Sequence, residues 1–319
     1  MHVRILGIND LHGHLDPEVV DGRRVGGVAW LSSWLDRASA GVPSIRVTAG
    51  DSPGASPLIS GWFHDRPAIE ALNLMHFDVA TVGNHDFDEG PGEMERLAGV
   101  SDFPYVGANA VDRASGRPLL APWVVVERAG VKVGFIGVTT TSSGRWLMPR
   151  YARRLAFTDI SDTVNRYAAE LQARGVHAIV VLAHAGGVQE TDTEASGEIV
   201  GETRQMSDAV DAVVAGHTHT LMNLRVAGKP VTQAVSYGTA FDQIDLWIDP
   251  RTDDVVSRVD GRAAHVGRRG DTRPARGVDG RGLPRTAGRS GHAGGRVHAG
   301  QARGNPHSRR GVAAASRPR

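Results

Sequence analysis

The stretch Gly83-Asn84-His85-Asp86-Phe87-Asp88 places an amide, an imidazole and two carboxylates within five positions, directly after an apolar run. Residues 79–82 predict a short buried strand, and Gly83 allows the chain to turn sharply as it leaves the sheet. Polar groups at the carboxyl end of such a strand lie where open α/β sheets bind ligands. A solvated turn uses the same residue types, because Asn, Asp and Gly are ordinary turn residues. The stretch alone therefore leaves an active-site loop and a solvated turn equally open.

Four further apolar runs end in the same way, in side chains that commonly bind metal ions. Residues 3–8 lead to Asn9-Asp10-Leu11-His12-Gly13-His14, residues 45–48 to Ala49-Gly50-Asp51, residues 179–182 to Ala183-His184-Ala185-Gly186, and residues 210–215 to Gly216-His217-Thr218-His219. Five unrelated turns would not be expected to share this pattern. The repetition favours one site at the carboxyl ends of the strands.

The order of the predicted elements indicates an α/β fold. Apolar residues at spacings of three and four predict a helix over residues 26–40, between the first two strands, and this order is typical of parallel sheets. Two strands at 123–127 and 131–138 predict an antiparallel hairpin. Residues 187–201 are polar and rich in Glu, Thr and Gly, which predicts a loop over the mouth of the site. Further strands are predicted at 44–49, 78–82, 178–182, 210–215, 230–234 and 241–248, and further helices at 67–75 and 160–174.

Length and composition exclude several classes of protein. The chain has 319 residues, of which 40% are hydrophobic, so it can bury a large core. It has no apolar run near the ~20 residues of a membrane helix and no amino-terminal signal peptide, which predicts a cytoplasmic protein. A true start codon further upstream would change this prediction to a periplasmic or extracellular location. Cysteine is absent, so any metal ion must be held by nitrogen and oxygen ligands.

The composition changes near residue 259, which predicts a boundary between a catalytic domain at 1–259 and a tail at 260–319. The tail contains 14 Arg, no Lys and three Asp, and its single large aliphatic residue other than Val is a Leu. Such a segment buries too little apolar surface to offset its ordering entropy, so we predict disorder. Its charge could bind nucleic acid or another anion weakly, although it lacks aromatic rings for stacking. A solvated tail and an out-of-frame reading of the gene are the alternatives.

The strand ends supply seven candidate metal ligands, which are Asp10, His12, Asp51, Asn84, His184, His217 and His219. Carboxylate, amide and imidazole groups together suit Mn²⁺, Zn²⁺, Fe²⁺ or Co²⁺ better than Ca²⁺, which prefers oxygen alone. One carboxylate can bridge two cations about 3.5–4 Å apart, so that both act on one phosphoryl group, and Asp51 is the candidate for this bridge. His217 and His219 alternate along an extended segment, which would direct one ring to each metal ion.

These motifs resemble the signature of the calcineurin-like metallophosphatases. The matching pieces are Asp10-x-His12, Gly50-Asp51, Gly83-Asn84-His85-Asp86, His184 and Gly216-His217-x-His219. Within that superfamily, Asn9 to His14, Gly83 to Asp88 and Gln233-x-x-x-Tyr237-Gly238 resemble the 5′-nucleotidase family, which includes UDP-sugar hydrolases and 2′,3′-cyclic nucleotide phosphodiesterases. The resemblance covers roughly residues 3–248 and is specific as a compound signal. It implies a four-layer sandwich of two mixed β-sheets flanked by helices.

The resemblance also implies a role for each residue of the site. Asp10, His12, Asp51 and His219 would hold a first metal ion, and Asp51, Asn84, His184 and His217 a second. His85 and Asp88 would form the catalytic pair. The implied reaction is hydrolysis of phosphate esters of nucleotides, in which a metal-bound water attacks phosphorus. His85, oriented by Asp88, would stabilise the developing charge or assist the leaving oxygen.

Relatives of this type carry a second, carboxyl-terminal domain that supplies aromatic residues and arginines to hold the nucleotide. Residues 260–319 cannot replace it, so we expect an assembled dimetal site with poor nucleotide selectivity. The alternative from a different class is a truncated, catalytically weak or idle chain whose basic tail binds anions. The complete ligand set favours the enzyme.

Overall fold

The apolar runs of the sequence form the central strands of two β-sheets. The computed structural model describes residues 1–20, 22–258 and 262–266. Its strands are β1 (His2–Ile8), β2 (Glu18–Val20), β3 (Arg23–Val25), β4 (Ser44–Thr48), β5 (Val79–Thr81), β6 (Tyr105–Val106), β7 (Ala110–Asp112), β8 (Trp123–Arg128), β9 (Val131–Thr139), β10 (Leu155–Phe157), β11 (Ala178–His184), β12 (Gly187–Gln189), β13 (Ala195–Gly197), β14 (Ala212–Ala215), β15 (Leu221–Val226), β16 (Lys229–Ala234), β17 (Ala240–Ile248), β18 (Val255–Arg258) and β19 (Arg262–His265). Its α-helices are α1 (Val28–Ser39), α2 (Leu58–Gly61), α3 (Arg66–Leu74), α4 (Pro91–Ala98), α5 (Pro149–Ala152), α6 (Ile160–Ala173) and α7 (Glu198–Gln205).

Both large sheets are mixed. The first has the strand order β18-β17-β1-β4-β5-β6, with β19 also paired to β17. Its strands β1, β4, β5 and β6 run parallel, whereas β17 runs antiparallel to β1. The second has the order β15-β16-β14-β11-β9-β8, in which β9, β11, β14 and β16 are parallel and the two outer strands are antiparallel. The prediction of two mixed sheets is confirmed.

The two sheets pack against each other, and helices cover their outer faces. Strand β11 illustrates the layering, because all seven of its residues are buried. Ala178, Val180 and Leu182 pack between the sheets, whereas Ile179 and Val181 belong to the outer cluster formed with α6 and α7. Helices α1, α3 and α4 cover the other sheet in the same way. The apolar run of β11 is continuous because the strand is buried on both faces.

The sheets approach closely at Gly7, near the carboxyl end of β1. A Cβ atom at this position would lie 2.8 Å from the Cγ1 of Val214 in the opposite sheet, so a side chain does not fit without movement. Gly7 therefore allows the carboxyl ends of β1 and β14 to come together, and both of these strands lead into candidate ligands.

The structure corrects two predictions about the elements. Residues 187–201 do not form one loop, because β12 and β13 make a small antiparallel sheet and α7 begins at Glu198. Ile199 and Val200 are buried, so α7 belongs to the core rather than to a mobile excursion. The sheet also extends past the predicted boundary at 259, because β19 pairs with β17 and Val266 is fully buried.

The rest of the predicted tail, residues 267–319, lies outside the described residues, as do its predicted disorder and anion binding. Among the helices of the described residues, none is both long and apolar enough to cross a membrane.

Candidate active site

The predicted ligands lie together at one edge of the two sheets. Strands β1, β4 and β5 run parallel in the first sheet, and β11 and β14 run parallel in the second. Each of these strands leads into at least one candidate ligand at its carboxyl end. The contacts described below join ligands from both sheets. The five strand ends therefore form one site, as the repeated sequence pattern predicts.

Asp10, His12 and His219 form a first group of ligand atoms. The Nε2 atoms of His12 and His219 are 3.3 Å apart, and the Nε2 of His219 is 3.1 Å from the Oδ1 of Asp10. The His12 Nε2 lies 3.7 Å from the same carboxylate oxygen. Three potential ligand atoms thus converge on one small volume from the ends of β1 and β14.

Asp51, His184 and His217 form a second group. The Nε2 of His184 is 2.9 Å from the Oδ2 of Asp51 and 3.2 Å from the Oδ1 of Asn84. The Oδ2 of Asp51 is also 3.8 Å from the Nε2 of His12, in the first group. Asp51 therefore lies between the two groups, which is the position that a bridging carboxylate requires.

Two of the histidines are oriented by backbone carbonyl groups. The Nδ1 of His12 donates to the carbonyl oxygen of Gly54 at 2.7 Å, and the Nδ1 of His184 donates to that of Ala49 at 2.8 Å. A carbonyl oxygen can only accept, so the proton of each neutral ring lies on Nδ1 and the lone pair on Nε2. Both Nε2 atoms face the site, which is the arrangement typical of metal-binding histidines.

Asp10 provides the clearest sign that the site suits a cation. Its Oδ2 accepts hydrogen bonds from the Asn9 side chain at 2.7 Å and from the His217 backbone N–H at 2.8 Å. Its Oδ1 is buried and has no hydrogen-bond partner among the described residues, although the His219 Nε2 approaches it. Buried polar atoms are rarely left unpaired. A metal ion beside Oδ1 would give this atom a partner. The residues present therefore fit the predicted divalent metal ions.

The electrostatics of the buried site agree with that chemistry. Burial opposes ionisation of Asp10, but His184, His12 and His219 outweigh it and hold the pKa of Asp10 well below its usual range. Burial likewise opposes a charge on His184, but Asp51 and Asp10 raise the pKa of His184 to about 10. A proton on His184 thus balances part of the carboxylate charge in the absence of a cation, and cation binding would release it.

Left-handed backbone recurs at the candidate ligands. Five candidate ligands have positive φ angles, namely Asp10 (50°), His12 (46°), Asp51 (50°), His217 (84°) and His219 (52°). Such conformations cost on the order of 1–3 kcal/mol each in non-glycine residues and cluster at functional sites. The segment from His217 to His219 is therefore not extended, contrary to the prediction. The two rings still reach different ligand groups, because the left-handed turns, rather than strand alternation, direct them.

The loop that follows β5 holds the candidate catalytic pair. The Nδ1 of His85 is 2.8 Å from the Oδ2 of Asp88, and this hydrogen bond is the main cause of the raised pKa of His85. The backbone N–H of His85 donates to the Oδ1 of Asp51 at 2.8 Å. A Cβ on Gly83 would lie 2.1 Å from the same Oδ1, which explains why glycine is needed there. The pair is thereby fixed to the carboxylate between the two ligand groups.

Comparisons with known proteins agree with this geometry. The family model described as bacterial capsule synthesis protein PGA_cap matches residues 47–239. Endonuclease YhcR of Bacillus subtilis is 35% identical over 278 residues, which cover 80% of this chain and 23% of the endonuclease. A probable 5′-nucleotidase of Treponema pallidum is 30% identical over 286 residues, which cover 80% of this chain and 46% of that protein. The crystal structure of a 5′-nucleotidase precursor from Thermus thermophilus is similar with a TM-score of 0.68 and 26% identity, covering 84% of this chain and 55% of that one.

The chain belongs to the PGA_cap family, and it is similar in sequence and in fold to 5′-nucleotidases. It spans less than half the length of the two sequence relatives and about half of the solved structure. The resemblance inferred from the sequence motifs is thus confirmed.

In this PGA_cap-family protein, a cavity of about 670 Å³ opens over the candidate ligands. It is lined by His12, Asp51, Asn84, His85, His217 and His219 together with Glu18, Val20, Ala55, Trp146, Thr218, Val235, Ser236, Tyr237 and Thr239. Among these lining residues there is no Lys or Arg, so the described part of the chain presents no cationic Lys or Arg side chain to a phosphate there. Positive charge would have to come from bound metal ions and from protonated His85, whose pKa Asp88 raises.

Several supporting residues of the PGA_cap-family site were given no role by the sequence. Asp86 accepts hydrogen bonds from the backbone N–H groups of Gly83 at 2.7 Å and Asp51 at 3.1 Å, so it ties two ligand loops together. Burial and the nearby Asp51 raise the pKa of Asp86 to about 7. Buried Gln233 holds the turn from His217 to His219 by donating hydrogen bonds to Thr220. The motif that joins Gln233 to Tyr237 was the only sequence signal for these two residues. Trp146 follows a short polar segment and carried no signal.

Proposed function

We propose that this chain hydrolyses phosphate esters of nucleotides with two divalent metal ions held by the seven predicted ligands. One observation carries the proposal: ligand atoms from five strand ends converge into two groups, and the Asp51 carboxylate lies between them. The names of the relatives, an endonuclease and 5′-nucleotidases, agree with chemistry at phosphate esters. The complete ligand set argues against an idle chain.

Each group of residues would hold one ion. Asp10, His12 and His219 would bind the first, and His184, His217 and Asn84 the second, with Asp51 shared by both. When bound, two such ions lower the pKa of a water molecule and neutralise charge on a phosphoryl group. The mixed nitrogen and oxygen ligands favour Mn²⁺, Zn²⁺, Fe²⁺ or Co²⁺.

The catalytic pair would act on the substrate directly. His85 lines the cavity, and its ring is held through Nδ1 by Asp88, so its Nε2 can donate toward a phosphoryl or leaving oxygen. Asp88 raises the pKa of His85, which keeps a proton available for this donation near neutral pH. The exposed fraction of the His85 side chain, 35%, leaves the ring accessible to a substrate.

We further propose that the described residues select nucleotides poorly. The lining of the cavity offers no Lys or Arg that could hold a nucleotide in one orientation. The same site could therefore accept nucleoside monophosphates, UDP-sugars, 2′,3′-cyclic nucleotides and simple aryl phosphates.

The test begins with chain purified and stripped of metal by a chelator. Mn²⁺ or Zn²⁺ is titrated back while hydrolysis of AMP, UDP-glucose, 2′,3′-cyclic AMP and bis-p-nitrophenyl phosphate is followed. Asp51→Asn removes the shared carboxylate, and Asp192→Asn at an exposed position is the matched control. We expect activity to return at about two metal ions per chain in the wild type and the control, and not in Asp51→Asn. Two bound ions without hydrolysis of any ester would overturn the proposal. A strong preference for AMP with a low KM would refute poor selectivity alone.

A further inference from the structure

Trp146 stands out among the residues that line the cavity. Its side chain is 68% exposed, although a large indole normally gains from burial. The other lining residue with a benzenoid ring, Tyr237, stacks on His14 with ring centroids 3.9 Å apart, so one face of Tyr237 is already covered. Trp146 makes no ring contact of this kind among the described residues. It therefore presents an uncovered aromatic surface to the cavity.

The segment that carries Trp146 is attached firmly to the metal-ligand region. The backbone N–H of Thr140 donates to the carbonyl oxygen of His184 at 2.8 Å. The Glu198 carboxylate accepts from the Thr141 backbone N–H at 3.0 Å and from the Thr141 hydroxyl at 2.6 Å. The N–H of Trp146 itself donates to the carbonyl oxygen of Ser143 at 3.1 Å. Hydrogen bonds thus hold the segment 140–146, which begins beside the candidate ligand His184, and this segment positions the indole at the cavity.

Exposure alone would not single out Trp146. Trp62, at the end of α2, is exposed to a similar extent at 75%, but it is not among the residues that line the cavity. The distinguishing feature of Trp146 is its position with Asn84 and His85 in the lining of one cavity. The pair Trp146 and Trp62 therefore separates the effect of an exposed indole from the effect of an indole at the site.

We propose that Trp146 determines specificity by stacking against a planar aromatic part of the phosphate ester, such as a nucleobase or an aryl leaving group. This inference rests on the proposed function, because it assigns a place to the non-phosphoryl half of that substrate. Every base has a π face, so one stacking surface favours aromatic esters without distinguishing among bases. The expected substrate class is therefore nucleoside and aryl phosphates over alkyl phosphates such as glycerol 3-phosphate.

The first measurement is kcat/KM of the metal-loaded full chain for AMP, UMP, p-nitrophenyl phosphate and glycerol 3-phosphate. Stacking of one base is expected to change kcat/KM by roughly 5- to 100-fold. Trp146→Ala should therefore lose this factor for the three aromatic esters and keep its rate on glycerol 3-phosphate. Trp146→Phe should retain most of the preference, and Trp62→Ala should match the wild type on all four.

The second measurement needs no turnover. Intrinsic fluorescence of the metal-free chain is titrated with adenosine, which carries the base and no phosphate. Quenching in the wild type and in Trp62→Ala, and its loss in Trp146→Ala, would support the stacking.

The outcomes separate the two proposals. If the wild type hydrolyses all four esters and Trp146→Ala slows them equally, or leaves them all unchanged, the inference fails and the phosphoesterase proposal stands. If the wild type hydrolyses none of them, the proposed function fails and the inference fails with it.

Discussion

His85 is the residue on which the proposed chemistry can be separated from metal binding. It lines the cavity and bonds to Asp88, but it belongs to neither group of converging ligand atoms. We predict that His85→Asn lowers kcat by about 10²–10⁴-fold, the usual contribution of a general acid or base. Metal content, measured by elemental analysis after dialysis, should stay at the wild-type value.

The matched control for His85 is His177→Asn, a partly buried histidine outside the cavity lining. It should leave kcat unchanged. Loss of bound metal in His85→Asn would show instead that the ring helps to hold the ions, and the assignment of a catalytic pair would then be wrong.

A second residue, Asp242, affects stability rather than chemistry. Its carboxyl group lies on β17, opposite Gly7 of β1, and is 1% exposed. Among the described residues, neither of its oxygens has a well-formed hydrogen bond, although Thr232 is close enough to lower its pKa slightly. Burial outweighs Thr232 and raises the pKa of Asp242 well above its ordinary value of 3.8. The folded protein therefore holds a proton that the unfolded chain releases.

This proton makes stability depend on pH in a definite direction. Below about pH 4 Asp242 is protonated in both the folded and the unfolded state, so it does not lower the free energy of unfolding. As pH rises above that value the unfolded state ionises first, so the free energy of unfolding falls by up to about 1.4 kcal/mol per pH unit until the folded pKa is reached. We predict that the free energy of unfolding of Asp242→Asn, measured by urea denaturation with chelator present, increasingly exceeds that of the wild type as the pH rises above about 4.

Exposed Asp192→Asn is the control for this series and should follow the wild type within about 0.5 kcal/mol. Parallel curves for Asp242→Asn and the wild type would mean that the buried carboxyl is ionised and paired in the folded protein.

At the residue scale, the sequence predicts which side chains come together better than it predicts the conformation of their backbone. Asp and His after apolar runs were sufficient to name Asp10 and Asp51 as candidate ligands, because the residue type alone determines which groups a side chain can offer to a metal ion. The positive φ angles of His217 and His219 could not be predicted, since these strained conformations depend on tertiary contacts. Asp86 was missed for a related reason, because its role is to accept N–H groups from two separate loops.

At the scale of elements, β19 shows how an edge strand can escape detection. Residues 262–265 contain Arg, Ala and His rather than the β-branched residues that mark strands. Their pairing with β17 brings Val266 into the cluster with Leu31 and Phe241. The backbone N–H and carbonyl groups of Val266 bond to Thr239 and Gly26. The strand thus fastens a segment that continues directly into the cavity lining at Thr239.

We predict that Val266→Asp lowers the free energy of unfolding by at least about 2 kcal/mol, because it places a carboxylate in a fully buried apolar position. Val256→Asp is the matched change on β18, where the side chain is 66% exposed, and should cost less than about 0.5 kcal/mol. Urea denaturation of both full-length variants gives the comparison. Equal losses would mean that Val266 does not pack in the core in solution.

Helix α7 was missed for a different reason. Its sequence is mostly polar and contains only a short apolar pair, Ile199-Val200, so its periodicity is weak. The long strands and helices were predicted within a few residues, because each has several apolar positions at a clear spacing. Short elements carry too few such positions to stand out from a loop.

At the scale of the whole molecule, the candidate metal ligands join the two sheets. Asp10 and Asp51 follow strands of the first sheet, and His184 and His217 come at the ends of strands of the second. Ions bound to both sets would stabilise the folded chain, because no such arrangement exists in the unfolded one. At an ion concentration one hundred times the Kd, each site would add about 2.7 kcal/mol to the free energy of unfolding.

We predict that saturation with Mn²⁺ or Zn²⁺ raises the Tm by about 5–10 °C per site over the chelated chain. Differential scanning calorimetry at several metal concentrations measures the shift. The Asp51→Asn variant should show a much smaller one. A Tm that does not depend on metal in the wild type would contradict a shared site between the sheets.

The separation of the candidate ligands along the chain determines when, during translation, all of them are present. His12 and His219 face each other at 3.3 Å although 207 positions divide them. At about 5–20 residues per second, a ribosome needs on the order of 10–40 s to add that many residues. The nascent chain carries its first histidine and carboxylate ligands throughout that interval without the partners that complete either group. Both groups of candidate ligands are therefore complete only after His219 has been added to the chain.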